Sequence, residues 1–149
     1  MISSGDALKS LAIEAALSPQ EEKLEVGQKK QKLYIGIPKE TEFQEQRVAL
    51  VPQSVGLLIA NGHKVVVETG AGINANFSDN DYSEAGAEIA YDTQEIYKAD
   101  IILKVTPPND NEINMMKHKQ ILFSALQLTV QPKSALKKLM DKKITAIAW

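Results

Sequence analysis

The sequence predicts an α/β protein: a parallel sheet with helices on both faces. Two observations carry this. From Leu33 onward, strand-like and helix-like segments alternate about six times, the pattern of repeated βα units. Two of the strand-like segments, Ile101-Ile102-Leu103 and Ile121-Leu122-Phe123, are unbroken apolar runs, as expected of strands covered on both faces. Right-handed crossovers then make the sheet parallel. Periodicity does not give the strand order.

Each element has a local reason. Leu33-Tyr34-Ile35-Gly36-Ile37 is a short apolar strand. Pro52 to Ala60 reads as a helix, with Pro52 near its start and Asn61-Gly62 at its end. Lys64-Val65-Val66-Val67-Glu68 is β-branched and reads as a strand. Gly70-Ala71-Gly72 breaks the chain. Ser78 or Asp79 caps a helix that stops near Gly86, and Glu88 to Tyr91 is a short strand. Asp92-Thr93-Gln94-Glu95 is a capping box opening a helix to Lys98. Ile101 to Val105 is a strand ended by Pro107-Pro108. Asn111 to Lys117 is helical and Ile121 to Ala125 is a strand. Pro132 to Asp141 is a helix, and Ile144 to Ala148 is the last strand.

Residues 1–32 differ from the rest. Leu8, Leu11, Ala12 and Ala15 recur at helical spacing, so Asp6 to Leu17 can form an amphipathic helix. Ser18-Pro19-Gln20-Glu21 reads as a second helix start, and Gly27 with Gln28-Lys29-Lys30-Gln31 as its end and a linker. This stretch is expected to be a peripheral extension, with the domain proper at 33–149. The chain ends at Trp149, beside a strand-like segment, which reads as a piece cut from a longer protein.

Composition narrows the function. The 149 residues suffice for one hydrophobic core. With 17 Lys and Arg against 19 Asp and Glu, the net charge of −2 argues against a generally basic nucleic-acid binder. The chain has no cysteine, so thiol catalysis, Cys-ligated zinc and disulfides are excluded. No stretch of about 18 apolar residues is present to span a membrane, and the N-terminus lacks a secretory pattern. A cytoplasmic location is expected.

In open α/β sheets, ligands bind beyond the carboxyl ends of the strands. Pro38, Lys39, Glu40, Thr41 and then Arg47 come after the first strand. The fourth strand-like segment ends at Lys104, and the fifth at Leu126-Gln127-Leu128. Arg47, Lys104 and Gln127 facing one crevice would suit a small anion: Arg47 offers a planar fork for a carboxylate, and Lys104 a point charge. The alternative is that the two cations are solvated surface charges. Lys104 lies in an apolar segment, however, and a buried lysine needs a partner or a ligand. Gly70-Ala71-Gly72 lacks the spacing of a dinucleotide fingerprint, and G-x-G-x-x-G is absent, so a tight turn is the better reading. His63 and His118 have no partners at metal-ligand spacing and read as surface residues; no metal is expected. Met115 and Met116 read as helix packing.

The segment Ile35-Gly36-Ile37-Pro38-Lys39-Glu40-Thr41, followed by Arg47-Val48-Ala49-Leu50-Val51-Pro52, closely resembles the opening of the alanine dehydrogenase and nicotinamide nucleotide transhydrogenase family. Gly62-His63-Lys64-Val65, Glu68-Thr69-Gly70-Ala71-Gly72, Tyr82-Ser83-Glu84-Ala85-Gly86-Ala87, Ile102-Leu103-Lys104-Val105 and Ile144-Thr145-Ala146 continue the match in order. The resemblance implies a flavodoxin-like fold, of the formate/glycerate dehydrogenase catalytic-domain kind. It makes 33–149 the substrate lobe of a two-lobed enzyme whose second lobe binds NAD, so the fragment alone is expected to be inactive. It also implies that Arg47 holds the carboxylate of alanine or pyruvate, and that Lys104 contacts the carbonyl side. In the alanine dehydrogenases of this family a catalytic His follows the fifth strand, where this chain has Leu126-Gln127-Leu128. Gln127 can donate a hydrogen bond there but cannot deliver a proton near neutral pH.

Alanine dehydrogenase-like activity is therefore expected: reversible NAD-dependent oxidative deamination of L-alanine to pyruvate and ammonia. The alternatives are part of a proton-translocating transhydrogenase subunit, or an α/β binding module without chemistry. The resemblance also implies a homo-oligomer.

Overall fold

A computed structural model describes residues 31–149. The expected helices Asp6–Leu17 and from Ser18 lie outside the described residues. In chain order the elements are β1 (Tyr34–Ile37), α1 (Pro52–Ala60), β2 (Lys64–Glu68), a 3₁₀ turn (Ile73–Ala75), α2 (Asp79–Glu84), β3 (Glu88–Ala90), α3 (Thr93–Ile96), β4 (Ile101–Leu103), α4 (Asp110–Met115), β5 (Ile121–Ser124), α5 (Lys133–Asp141) and β6 (Thr145–Ala148).

All strand pairs are parallel, in the order β3-β2-β1-β4-β5-β6. With the three-residue β3 set aside, the remaining strands adopt the flavodoxin order. β3 adds an outer strand beside β2. From β1 the chain winds outward through β2, and from β4 it winds the other way through β5 and β6. β1 and β4 are hydrogen-bonded neighbours, with Ile35 opposite Ile101 and Gly36 opposite Ile102. The point where the winding reverses therefore lies between them, and the crevice beyond their carboxyl ends is where such a sheet takes a ligand.

Alternation along each strand divides the core into two layers. Ile35, Ile37, Val65 and Val67 pack on one face with Val55 of α1 and Tyr82 of α2. Val66, Ile102 and Leu122 pack on the other with Ile96, Ile113 and Leu139. Each fully buried aliphatic side chain stabilises the fold by roughly 1.5–3 kcal/mol. Gly36 points to the second layer, where a Cβ would lie 2.6 Å from the carbonyl oxygen of Ile96. Only glycine lets the turn after α3 sit this close to the sheet.

The expected elements are present with shifted ends. Ser78 caps α2 in a reciprocal box with Asp81. Asp92 caps α3 by accepting from Gln94 N–H; Glu95, expected to complete the box, pairs with Lys98 instead. α4 starts earlier than its apolar pattern suggests, because Asn109 caps it and Glu112 closes the box. Lys104 falls just past β4, although its N–H still donates to Phe123 O at 2.9 Å.

Candidate functional site at the switch point

The loop after β1 crosses the end of β4 and is fixed there by Glu40. Its Oε1 accepts the Val105 N–H at 2.6 Å, and its Oε2 accepts from Thr106 N–H at 3.3 Å and from the Thr106 hydroxyl. Oε2 also lies 3.1 Å from Lys104 Nζ. On the other side Lys104 Nζ meets Glu112 Oε1 at 3.1 Å. Glu112 Oε2 accepts the Asn109 N–H at 2.8 Å, which closes the α4 capping box. The Lys104 ammonium is fully buried between these carboxylates, and both of them are nearly so. Its burial is thus compensated by protein partners. The Tyr97 hydroxyl, also buried, has no partner among the described residues; burial, reinforced by the charge of Glu112, holds its pKa far above the usual phenol value.

The same loop carries Arg47 to a cavity of about 350 Å³ lined also by Glu42, Glu45, Thr106, Asn109 and Gln127. Arg47 is largely exposed. Its Nε and Nη2 each donate to Glu45 at 2.8 Å, and its backbone N–H donates to Glu45 Oε1 at 2.9 Å. The guanidinium holds the Glu45 carboxyl down to a pKa of about 2, and Glu45 in turn raises that of Arg47.

Gln127 reaches the cavity from the end of β5. Leu126 is drawn into the core, and the chain then reverses: Gln127 takes φ 43°, and its carbonyl accepts the Val130 N–H at 3.0 Å. A non-glycine residue in this region is sterically costly and is held by its surroundings.

The structure therefore brings Arg47 and Gln127 to one cavity, and it separates Lys104 from them. Val105 and Thr106, the residues after Lys104, form the cavity wall, while the Lys104 side chain anchors the loop. Direct contact of Lys104 with a substrate carbonyl requires Nζ to leave one of its carboxylates. Glu40, Glu45 and Glu112 join the site with no role expected from the sequence. The Asn109-x-x-Glu112 spacing is a capping-box signature and was a usable signal. The pairing of Glu40 with Lys104, 64 residues apart, leaves none.

The glycine turn does not cradle phosphate. The Gly70 N–H donates to Asp79 Oδ1 at 2.8 Å, so a carboxylate already stands where an anion would bind. A Cβ on Gly72 would lie 2.6 Å from the Tyr82 ring, so that glycine serves internal packing. Among the described residues no group of His, Cys, Asp or Glu is arranged to hold a metal. His63 Nδ1 accepts the Leu33 N–H at 3.4 Å, and His118 is exposed. None of the described helices is long and apolar enough to cross a membrane.

Fold and crevice together define a doubly wound α/β lobe with a guanidinium and an amide at its switch point. Residues 36–149 match the family model for the alanine dehydrogenase/PNT N-terminal domain, and the chain belongs to that family. It is 43% identical over 117 residues to an alanine dehydrogenase of Bacillus subtilis, covering 78% of this chain and 31% of that protein. A solved L-alanine dehydrogenase superposes with a TM-score of 0.74 at 40% identity, over 76% of this chain and 31% of the other. A solved transhydrogenase from Sinorhizobium meliloti gives a TM-score of 0.69 at 31% identity, over 76% and 32% of the two chains. The chain thus spans about a third of the length of these relatives.

Proposed function

We propose that residues 33–149 are the substrate lobe of an alanine dehydrogenase-like enzyme, which interconverts L-alanine with pyruvate and ammonia using NAD. The observation that carries this reading is the placement of Arg47 and Gln127 on one cavity at the carboxyl end of the sheet. Arg47 forks the substrate carboxylate. The Gln127 amide donates to the oxygen on the reacting carbon, orienting and polarising it. Lys104 acts through Glu40, which holds Val105 and Thr106 on the cavity wall. NAD supplies the hydride acceptor, and the Gly70–Gly72 turn does not fit its pyrophosphate, so these residues are assigned substrate work alone. A proton must then pass through water or through a group other than Gln127.

The test is alanine-dependent reduction of NAD by the full-length protein, with Arg47→Lys beside the parent. Lysine cannot reproduce the planar fork, so kcat/KM should fall at least ~10-fold, about 1.4 kcal/mol, with the fold unchanged. A parent without this activity, or an Arg47→Lys variant with parental kinetics, overturns the reading. Hydride exchange between NAD and NADP without alanine turnover would favour the transhydrogenase reading, to which the missing histidine at Gln127 lends support.

A further inference from the structure

Glu45 has no part in the substrate contacts proposed for Arg47 and Gln127, and its geometry supplies one. A guanidinium offers two planar forks, one side-on through Nε–H and Nη2–H and one end-on through the two Nη groups. Glu45 takes the side-on fork, with both distances at 2.8 Å. Among the described residues no protein group accepts from Nη1, so the end-on fork is left for a ligand in the cavity that both residues line. Glu45 itself sits on hydrogen-bonded backbone. Its N–H donates to Glu42 O at 3.2 Å, the Asn74 amide donates to its carbonyl at 3.5 Å, and the intervening Gln44 holds φ 63°. Its side chain is 11% exposed against 72% for Arg47. A largely buried carboxylate thus grips a long, exposed side chain that would otherwise range over many rotamers.

We infer that Glu45 is a positioning residue for substrate: by holding the side-on fork of Arg47, it presents the end-on fork to the carboxylate of a small 2-oxo acid. This rests on the assignment of Arg47 as the carboxylate holder. It contrasts with a Glu45 that merely competes with substrate for Arg47. The two roles have opposite signs. Removing a competitor lowers the KM for pyruvate, whereas removing a positioning group raises it.

The experiment measures kcat and KM for pyruvate in the full-length protein. It compares the parent with Glu45→Gln, Glu45→Asp, Arg47→Lys and the Glu45→Gln/Arg47→Lys pair, each checked for parental thermal unfolding. Glu45→Gln should raise KM ~10-fold while kcat falls less than ~3-fold, the mark of lost binding rather than lost chemistry. Glu45→Asp keeps the charge but withdraws it from the fork, so it should remain impaired at least ~3-fold. In the Arg47→Lys background, Glu45→Gln should add almost nothing, because the fork it orients is gone. An unchanged or lower KM in Glu45→Gln, or full recovery in Glu45→Asp, overturns the positioning role while leaving Arg47 in place. An Arg47→Lys variant with parental KM overturns the carboxylate assignment and this inference with it, as does a parent that does not use pyruvate.

Discussion

The carboxylate of Glu40 and the ammonium of Lys104 meet at 3.1 Å where the winding of the sheet reverses, joining the loop after β1 to the residues after β4. Parallel strands at a switch point send their loops in opposite directions, which leaves an open crevice with no chain across it. Here Glu40 bridges that crevice on one side. Its other bonds, to the Val105 N–H and to Thr106, shape the wall of the cavity that Arg47 and Gln127 line. A stabilising contact and the form of the site are thus the same set of atoms.

That contact sets the first prediction. Lys104→Met removes the cation that pairs with both Glu40 and Glu112 and leaves two nearly buried carboxylates facing each other. Breaking a buried pair from one side costs about 3–5 kcal/mol. Urea unfolding should show a loss of that size for Lys104→Met. It should be smaller when Glu112→Gln is added, because one of the stranded charges is then removed. A loss below ~1 kcal/mol would mean that the ammonium contributes no net stability here.

The parts legible in the sequence are those whose signals are local. The strands and helices were readable because apolar periodicity and turn residues act over a few positions, and Asn61-Gly62, Ser78 and Pro52 end or begin elements where their chemistry requires. The short β3 was visible, but its place beyond β2 was not, because pairing is a long-range choice. Arg47 and Gln127 stood out because each lies in the segment past a strand's carboxyl end, where an open α/β sheet takes its ligands. The environment of Lys104 was half legible. An ammonium in an apolar segment demanded a partner, but the partners come from the loop after β1 and the first turn of α4, and nothing in a linear reading joins those to β4.

The Glu45–Arg47 pair predicts a pH dependence. A carboxyl whose folded pKa is lowered adds stability above its ordinary value, and that stability is lost as pH falls through the folded value. For Glu45 the window runs from 4.5 down to about 2. Carboxyl carbon NMR should therefore find Glu45 still ionised at pH ~3.5, where an unperturbed glutamate is mostly protonated. A midpoint near the ordinary glutamate value would show that the fork is not held in solution.

Two glycines should respond differently to alanine. Gly36→Ala drives a methyl group to 2.6 Å from the Ile96 carbonyl, a backbone atom that cannot swing aside. Overpacking of this kind costs typically 1–3 kcal/mol, and this site should lie at the upper end. Gly62 has φ 90° with nothing within 4 Å of the added carbon, so Gly62→Ala meets only backbone strain, about 1–2 kcal/mol. Thermal unfolding of both variants checks the order. Gly62→Ala being the worse of the two would contradict the close approach of α3 to β1.

Gln127 combines strain with a place in the site, and this allows stability and activity to be separated. At φ 43° a side chain is disfavoured, and the position is held by the Val130 N–H bond to its carbonyl and by burial of Leu126 before it. Gln127→Gly relieves that strain, although glycine also gains freedom in the unfolded chain. Its stability should be unchanged or higher by up to ~1 kcal/mol. Its kcat/KM should nevertheless fall with the loss of the amide, as should that of Gln127→Ala, by roughly 1–3 kcal/mol of transition-state binding. Histidine tolerates this backbone region better than most residues. Gln127→His should therefore fold, keep substantial activity and add a titration near pH ~6.5 to the rate profile. Kinetics and denaturant unfolding of the three variants in the full-length protein provide the check. If Gln127→Gly and Gln127→Ala both turn over pyruvate as fast as the parent, the amide takes no part in the reaction, and the left-handed turn serves only the fold.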